Sequence, residues 1–387
     1  MSVPTRPKAA YFGAGPALLP TSVLQQASID LITYLSNPVG VGEISHRSKD
    51  AINIIDSTKA HLSEILNIPD THEVFFLQGG GTTGFSSVAT NLLASFAAKT
   101  GKKGQPAYAI TGTWSKKSYE EAARLGLEPQ VATNGINSKF TGIAPVDQWK
   151  KLDPETTPYI YYCDNETVNG VEFHAPPVEA TCDGKIPLVS DMSSNFLSKK
   201  IDVSKFGLIF AGAQKNVGIA GITIYIIRKD LIPQVGTEEL NKLNIPITPI
   251  AFHYPTVVKN NSAYNTIPIF TVHVLNLVLK NLLANGGLAA QEKENVEKAQ
   301  LLYGVLDKHP QLFNLPVAKD SRSKMNVVFT INGEGKEEEF VKKAGEQELS
   351  GLKGHRSVGG IRASIYNAID LETVGKLTKF IEEFASA

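Results

Sequence analysis

The chain has 387 residues, 42% hydrophobic and 20% charged, which is enough for a large core and more than one average domain requires, so two domains are expected. Lys plus Arg and Asp plus Glu number 38 each, with no long run of one sign, which excludes the basic footprint of a nucleic-acid binder and favours small ligands. Cys163 and Cys182 form no CxxC pair and cannot by themselves make a disulfide framework or a closed zinc site, so no metal is expected and a reducing, cytoplasmic setting fits. Residues 1–10 carry prolines and charges, and the most apolar run, 219–227, ends at Arg228. Neither a secretory signal nor a membrane span is expected.

In chain order, β-branched or aromatic runs predict strands over 73–78, 107–111, 159–163, 188–191, 208–211 and 222–227. Amphipathic stretches lie between several of them. Ser115 is placed to cap a helix through Tyr119, Ala122 and Leu125, with Gly126 to end it. Strand, helix, strand is the βαβ pattern, and apolar runs without strict alternation suit parallel strands covered on both faces. An α/β fold with a mostly parallel sheet follows. After about Thr266 the pattern shifts to two long helices, 272–283, stopped by Gly286 and Gly287, and 289–306. A strand over 326–331, a helix over 337–348, a strand over 361–366 and a helix over 371–384 complete a small α+β domain.

Two motifs carry chemistry. Gly79-Gly80-Gly81-Thr82-Thr83-Gly84 sits between a strand and an apolar helical stretch, where backbone amides and hydroxyls at a helix start can hold a phosphate. It lacks the Lys-Ser/Thr ending of a P-loop and the spacing of a dinucleotide fingerprint, and a plain tight turn is the alternative. Asp191 ends an apolar strand, the place where open α/β sheets bind ligands, and Lys215 follows about two dozen residues later. Pyridoxal phosphate needs such a pair, a carboxylate at its ring nitrogen and an amine for a Schiff base. Alone, Lys215 would read as a surface lysine and Asp191 as a helix cap or ion-pair partner. The small and apolar residues on both sides of Lys215 argue against an ordinary solvated loop.

Four strings, Phe12-Gly13-Ala14-Gly15-Pro16-Ala17, Glu43-Ile44-Ser45-His46-Arg47, Ala213-Gln214-Lys215-Asn216 and Gly354 through Ser364, resemble in order and spacing the phosphoserine aminotransferase family. The resemblance implies the type I aminotransferase fold, with a large cofactor domain (15–265), a small domain (1–14 with 266–387), and a homodimer sharing its active sites. It implies that Gly81, Thr82 and Gln214 bind the cofactor phosphate and that Trp114 stacks on the ring. Thr167 would hydrogen-bond the cofactor, Asp191 would pair with the ring nitrogen and Lys215 would carry the Schiff base. Asn265 and Thr266, supplied by the partner subunit, would reach the same phosphate. Arg362 would take the substrate α-carboxylate, while His355, Arg356 and, from the partner, His46 and Arg47 would gather around the distal anion. Arginine forks and histidines can serve both a carboxylate and a phosphate there.

The implied reaction exchanges an amino group between glutamate and 3-phosphohydroxypyruvate, giving 2-oxoglutarate and O-phosphoserine in serine biosynthesis. Lys215 would act as general base and acid at the α-carbon. Two alternatives stay open: another type I aminotransferase, acting on alanine or serine with glyoxylate, and a non-catalytic phosphate-ligand binder. Many family members carry an arginine in or after the glycine-rich turn, where this chain has Thr82 and Thr83. A common Ser-Arg is here Ser198-Lys199.

Overall fold

The computed structural model describes residues 5–387; the first four residues of the expected N-terminal segment lie outside them. Seven strands form the main sheet: β1 (His72–Gly79), β2 (Ala107–Ile110), β3 (Gln130–Asn134), β4 (Ile160–Cys163), β5 (Leu188–Asp191), β6 (Leu208–Gly212) and β7 (Gly221–Arg228). Their order is β1-β7-β6-β5-β4-β2-β3. Only β7 runs antiparallel to its neighbours. Each helical crossover returns the chain to the same edge, so the carboxyl ends of the parallel strands open on one side.

The missing alternation has a direct cause. Ile222, Ile224 and Ile226 of β7 face one core cluster, with Val74 and Phe76 of β1 and Ile209 of β6. Their neighbours Tyr225, Ile227, Phe75, Leu77 and Phe210 face the other. Side chains on successive residues point to opposite faces, and here both faces are buried. The helix Gly81–Thr100 covers the second face with Phe85, Val88, Leu92 and Leu93. Gly84 lies so close to the Phe210 ring that a Cβ would overlap it, which lets this helix approach the sheet.

The helix Lys49–Leu66 covers the first face together with Ile269–Ala284. The latter is buried almost all round, its Val274 and Val278 meeting Val23 and Ala27 of the helix Thr21–Asp30. It ends at the C-cap Asn285; Gly286, at φ 90°, caps the next helix, Gly287–Lys308, of which Gly287 is already the first residue. Among the described residues no single helix is long and apolar enough to cross a membrane.

A second core surrounds the antiparallel sheet of Phe313–Asn314, Asn326–Ile331 and Ile361–Ser364. The helices Lys336–Glu346 and Leu371–Ser386 pack on it through Phe340, Phe380 and Phe384. The N-terminal strand Ala10–Tyr11 pairs with Leu349–Ser350 and delivers Phe12 to this core.

Two expected elements differ. The helix Thr113–Arg124 is capped at Gly112, not Ser115, because Glu166 and Asn169 from a distant hairpin accept the N–H groups of Thr113, Trp114 and Ser115 and so admit them to the first turn. The strand expected over 361–366 stops at Ser364, where the buried Lys298 draws the carbonyls of Ile365, Tyr366 and Ile369 towards its amine.

Candidate active site

At the carboxyl ends of the parallel strands lies a cavity of about 300 Å³. The strand ends supply its floor and walls: Cys163 ends β4, Asp191 ends β5, and Gln214 and Lys215 follow β6. The glycine-rich turn closes one side as the cap and first turn of Gly81–Thr100. Gly80 N–H donates to Thr83 Oγ1 (3.0 Å), and that hydroxyl donates back to Gly80 O (2.8 Å). The first N–H groups of a helix have no partner within it, so this turn presents amide donors and positive dipole to the cavity, with hydroxyls in place of an arginine.

Asp191 is 4% exposed. Its Oδ1 accepts Ser193 N–H (2.9 Å) and Ser193 Oγ–H (2.6 Å), while Tyr161 O–H donates to Oδ2 at 3.5 Å. Burial pushes the carboxyl up, opposed by the Ser193 hydrogen bonds and the nearby Lys215 charge. Ser193 Oγ also accepts Gly212 N–H (3.0 Å), joining the ends of β5 and β6.

Lys215, 9% exposed, donates from Nζ to Thr167 Oγ1 at 2.7 Å. Its segment is fixed on both sides: Gln214 O accepts Ala17 N–H, and Asn216 Nδ2 donates to Phe196 O. Trp114 sits in the first turn of Thr113–Arg124, with Lys117 Nζ 4.5 Å from its ring centroid.

Below Trp114 is Glu166, fully buried, accepting Trp114 N–H and Ser115 N–H at 2.8 Å each. Burial pushes its carboxyl up to about 7, against the pull of those hydrogen bonds.

Arg362 enters from the small sheet and donates from Nη1 to Thr167 O at 3.4 Å. His355 lines the same cavity. Its basicity is lowered first by burial and then by the positive charges of Arg362, Arg356 and Lys117.

Nine of the residues expected at the site thus line one cavity: Gly81, Thr82, Trp114, Thr167, Asp191, Gln214, Lys215, His355 and Arg362. Five do not. Arg356 is exposed on a neighbouring groove. Arg47, Asn265 and Thr266 are exposed on the outer surface, and His46 is half-buried with Nε2 unpartnered. Gln78, just before the glycine turn, holds Asn265 Nδ2 (2.9 Å) and Thr266 O (2.6 Å).

Sequence reasoning missed Ser193, Glu166 and Asn165. Ser193 carried a signal, since a residue two after an aspartate commonly bonds its side chain. Glu166 and Asn165 carried none, because their partners lie tens to more than a hundred residues away.

Comparison with known proteins agrees with this geometry. The profile of the family described as Aminotransferase class-V matches residues 10–377. A phosphoserine aminotransferase of Saccharomyces cerevisiae is 55% identical over 382 residues, 97% of each chain. The structure of phosphoserine aminotransferase from Bacillus circulans subsp. alkalophilus superposes with a TM-score of 0.89 at 37% identity, covering 98% of this chain and 99% of that one. A PLP-bound phosphoserine aminotransferase from Trichomonas vaginalis gives 0.85 at 35%, covering 97% and 100%. Identity of this extent over almost the full length, in a fold superposing end to end, decides the lineage: the chain belongs to the phosphoserine aminotransferase family within the class-V aminotransferases.

Proposed function

We propose that the chain transfers an amino group between glutamate and 3-phosphohydroxypyruvate, yielding O-phospho-L-serine and 2-oxoglutarate, with pyridoxal 5'-phosphate as cofactor. The observation that carries this reading is that one cavity gathers Lys215, Asp191, Trp114, Thr167 and the glycine-rich helix start beside the cations Arg362 and His355.

The residues present fit the cofactor. Gln214 Oε1 and Trp114 Nε1 are buried without a hydrogen-bond partner among the described residues. A Cβ on Gly80 would meet open space, so the turn leaves room for a group close to the backbone. When bound, pyridoxal phosphate supplies an aldehyde that links to amines and a protonated ring that takes up the electron pair released at the α-carbon. Gly81, Thr82 and Gln214 hold the phosphate through amide, hydroxyl and carboxamide groups. Asp191, with Oδ1 already occupied by Ser193, offers Oδ2 to hold the proton at the ring nitrogen. Trp114 fixes the ring plane and Thr167 bonds the cofactor. Lys215 would hold the cofactor through its amine, and that amine would move the proton at the substrate α-carbon.

Arg362 binds the substrate α-carboxylate in a two-pronged contact. His355 and Arg356, with His46 and Arg47 of a second copy, take the distal carboxylate or phosphate. Two His-Arg pairs suit a distal anion and disfavour alanine or glyoxylate as the main substrate. Support for a shared-site homodimer comes from the exposed placing of Arg47, Asn265 and Thr266, and from exposed apolar residues such as Leu35 at 75% and Ile250 at 55%. We divide the chain into 15–265 and 1–14 with 266–387; the separate core of the small sheet supports this division, while Ile269–Ala284 packs on the main sheet and belongs with the first core. The two free thiols suit a cytoplasmic setting.

Purified protein should show a visible absorption band that shifts on adding O-phosphoserine or glutamate and not alanine. Lys215→Ala should lose turnover and covalent retention of the cofactor after borohydride. Full activity in that variant, or a colourless protein indifferent to O-phosphoserine, overturns the reading.

A further inference from the structure

The hairpin of Asn165–Glu166 paired with Val171–Glu172 bonds to several separate parts of the cavity wall. Thr167 at its turn accepts from Lys215 through its hydroxyl and from Arg362 through its carbonyl. Asn165 Nδ2 donates to Ser194 Oγ beside Asp191 and to Asn326 Oδ1 on the small sheet. Asn169 Oδ1 accepts the N–H and the hydroxyl of Thr113 at 2.9 and 3.0 Å. Glu166 accepts the next two amides, those of Trp114 and Ser115. Three consecutive donors at the start of Thr113–Arg124 therefore end on this one hairpin. Gly112 is compressed against Glu166 so tightly that a Cβ there would overlap the carboxyl group.

We propose that Glu166 is a positioning residue: by accepting both amides with its two oxygens, its carboxylate fixes the indole of Trp114 relative to the hairpin that presents Thr167 to Lys215. The proposal rests on the cofactor reading above and adds the group that sets the ring-stacking surface. A structural cap needs only to satisfy amides, and an exposed helix start can do so with water. A carboxyl group buried to 0% exposure needs a stronger reason, because burial works against its charge and hydrogen bonds must offset that cost. The two oxygens and two amides also fix direction as well as distance, which one acceptor cannot.

Glu166→Gln tests this with little change of shape. The amide keeps one acceptor and sets an NH2 group against the second backbone N–H, so one of the two bonds is lost. The first readout uses apoprotein and acrylamide quenching of tryptophan emission. Trp149 is 6% exposed with Nε1 bonded to Ala144 O, so quenching reports mainly on Trp114. Glu166→Gln should raise the quenching constant, and its cofactor Kd should rise about tenfold, the cost of one buried unmade hydrogen bond. Gly112→Ala, which displaces the carboxyl group from the other side, should reproduce both effects. If both variants quench and bind cofactor as wild type does, with only the thermal midpoint lowered, Glu166 is a structural cap and the proposal falls. Wild-type protein that fails to bind pyridoxal phosphate would overturn the cofactor reading instead, a result separable from the quenching comparison.

Discussion

At the residue scale, Lys199, where the sequence resemblance leads one to expect an arginine, is held by a buried acidic cluster. Its Nζ lies 2.8 Å from Asp164 Oδ2, 3.3 Å from Glu172 Oε1 and 2.6 Å from Phe173 O. Three donors meet three acceptors, so no planar fork is required. Burial works against the ammonium, but Asp164 and Glu172 outweigh it and hold Lys199 above the ordinary lysine range. Burial likewise pushes Glu172 up, yet Lys199, the Lys324 amide and Asn195 hold it below the usual carboxylate range. Lys199→Met should leave two nearly buried carboxylates without their ion-pair partner and lower unfolding free energy by about 3–5 kcal/mol, read from denaturant midpoints. A loss below about 1 kcal/mol, the worth of an exposed pair, would show that the cluster is solvated in solution.

At the element scale, the loop after Ile361–Ser364 is shaped by a single amine on another helix. Lys298, at 0% exposure, donates to Ile365 O (3.1 Å), Tyr366 O (3.0 Å) and Ile369 O (2.7 Å). The loop so formed carries Tyr366, whose hydroxyl donates to Ala14 O, and Asn367, whose N–H reaches Asn216 Oδ1 next to Lys215. The small sheet is thereby tied to the cofactor segment. Burial lowers the Lys298 amine to about 8, which makes it the most easily neutralised part of the clasp. Lys298→Met should withdraw a donor from three carbonyls and destabilise by about 3 kcal/mol or more. Hydrogen exchange should show faster opening over 365–370 before global unfolding, and unchanged exchange there would remove Lys298 from this role.

At the scale of the whole molecule, the cavity of one chain accounts for nine of the expected residues and leaves Arg47, Asn265 and Thr266 facing outwards. The proposed sharing of sites between two copies predicts complementation between inactive variants. Lys215→Ala and Arg47→Ala, each alone, should have little or no activity, because every site in each homodimer is damaged. Refolded together in equal amounts, half the dimers would be mixed, each with one intact site, so activity should return to about a quarter of wild type. No recovery on mixing, despite mixed dimers detected by mass, would place Arg47 outside the partner's site.

Local pattern determined much of this protein. The six strands of β-branched and aromatic residues were legible because a buried strand needs them whatever its neighbours are, and β7 alone contributes Ile222, Ile224, Tyr225, Ile226 and Ile227. The glycine-rich turn, the acid ending β5 and a lysine flanked by small apolar residues were legible as well, since each motif's chemistry sits within a few consecutive residues. β3, the polar edge strand Gln130–Asn134, was not foreseen, because one exposed edge removes the apolar signal. Tertiary structure alone decided the start of Thr113–Arg124, the end of Ile361–Ser364 and the burial of Glu166, Lys199 and Lys298. Each depends on a polar group meeting its partner across long stretches of chain, 52 residues from Trp114 to Glu166 and 67 from Lys298 to Ile365. Periodicity reports which face of an element is buried; it carries no record of which distant donor a buried carboxylate or carbonyl will find.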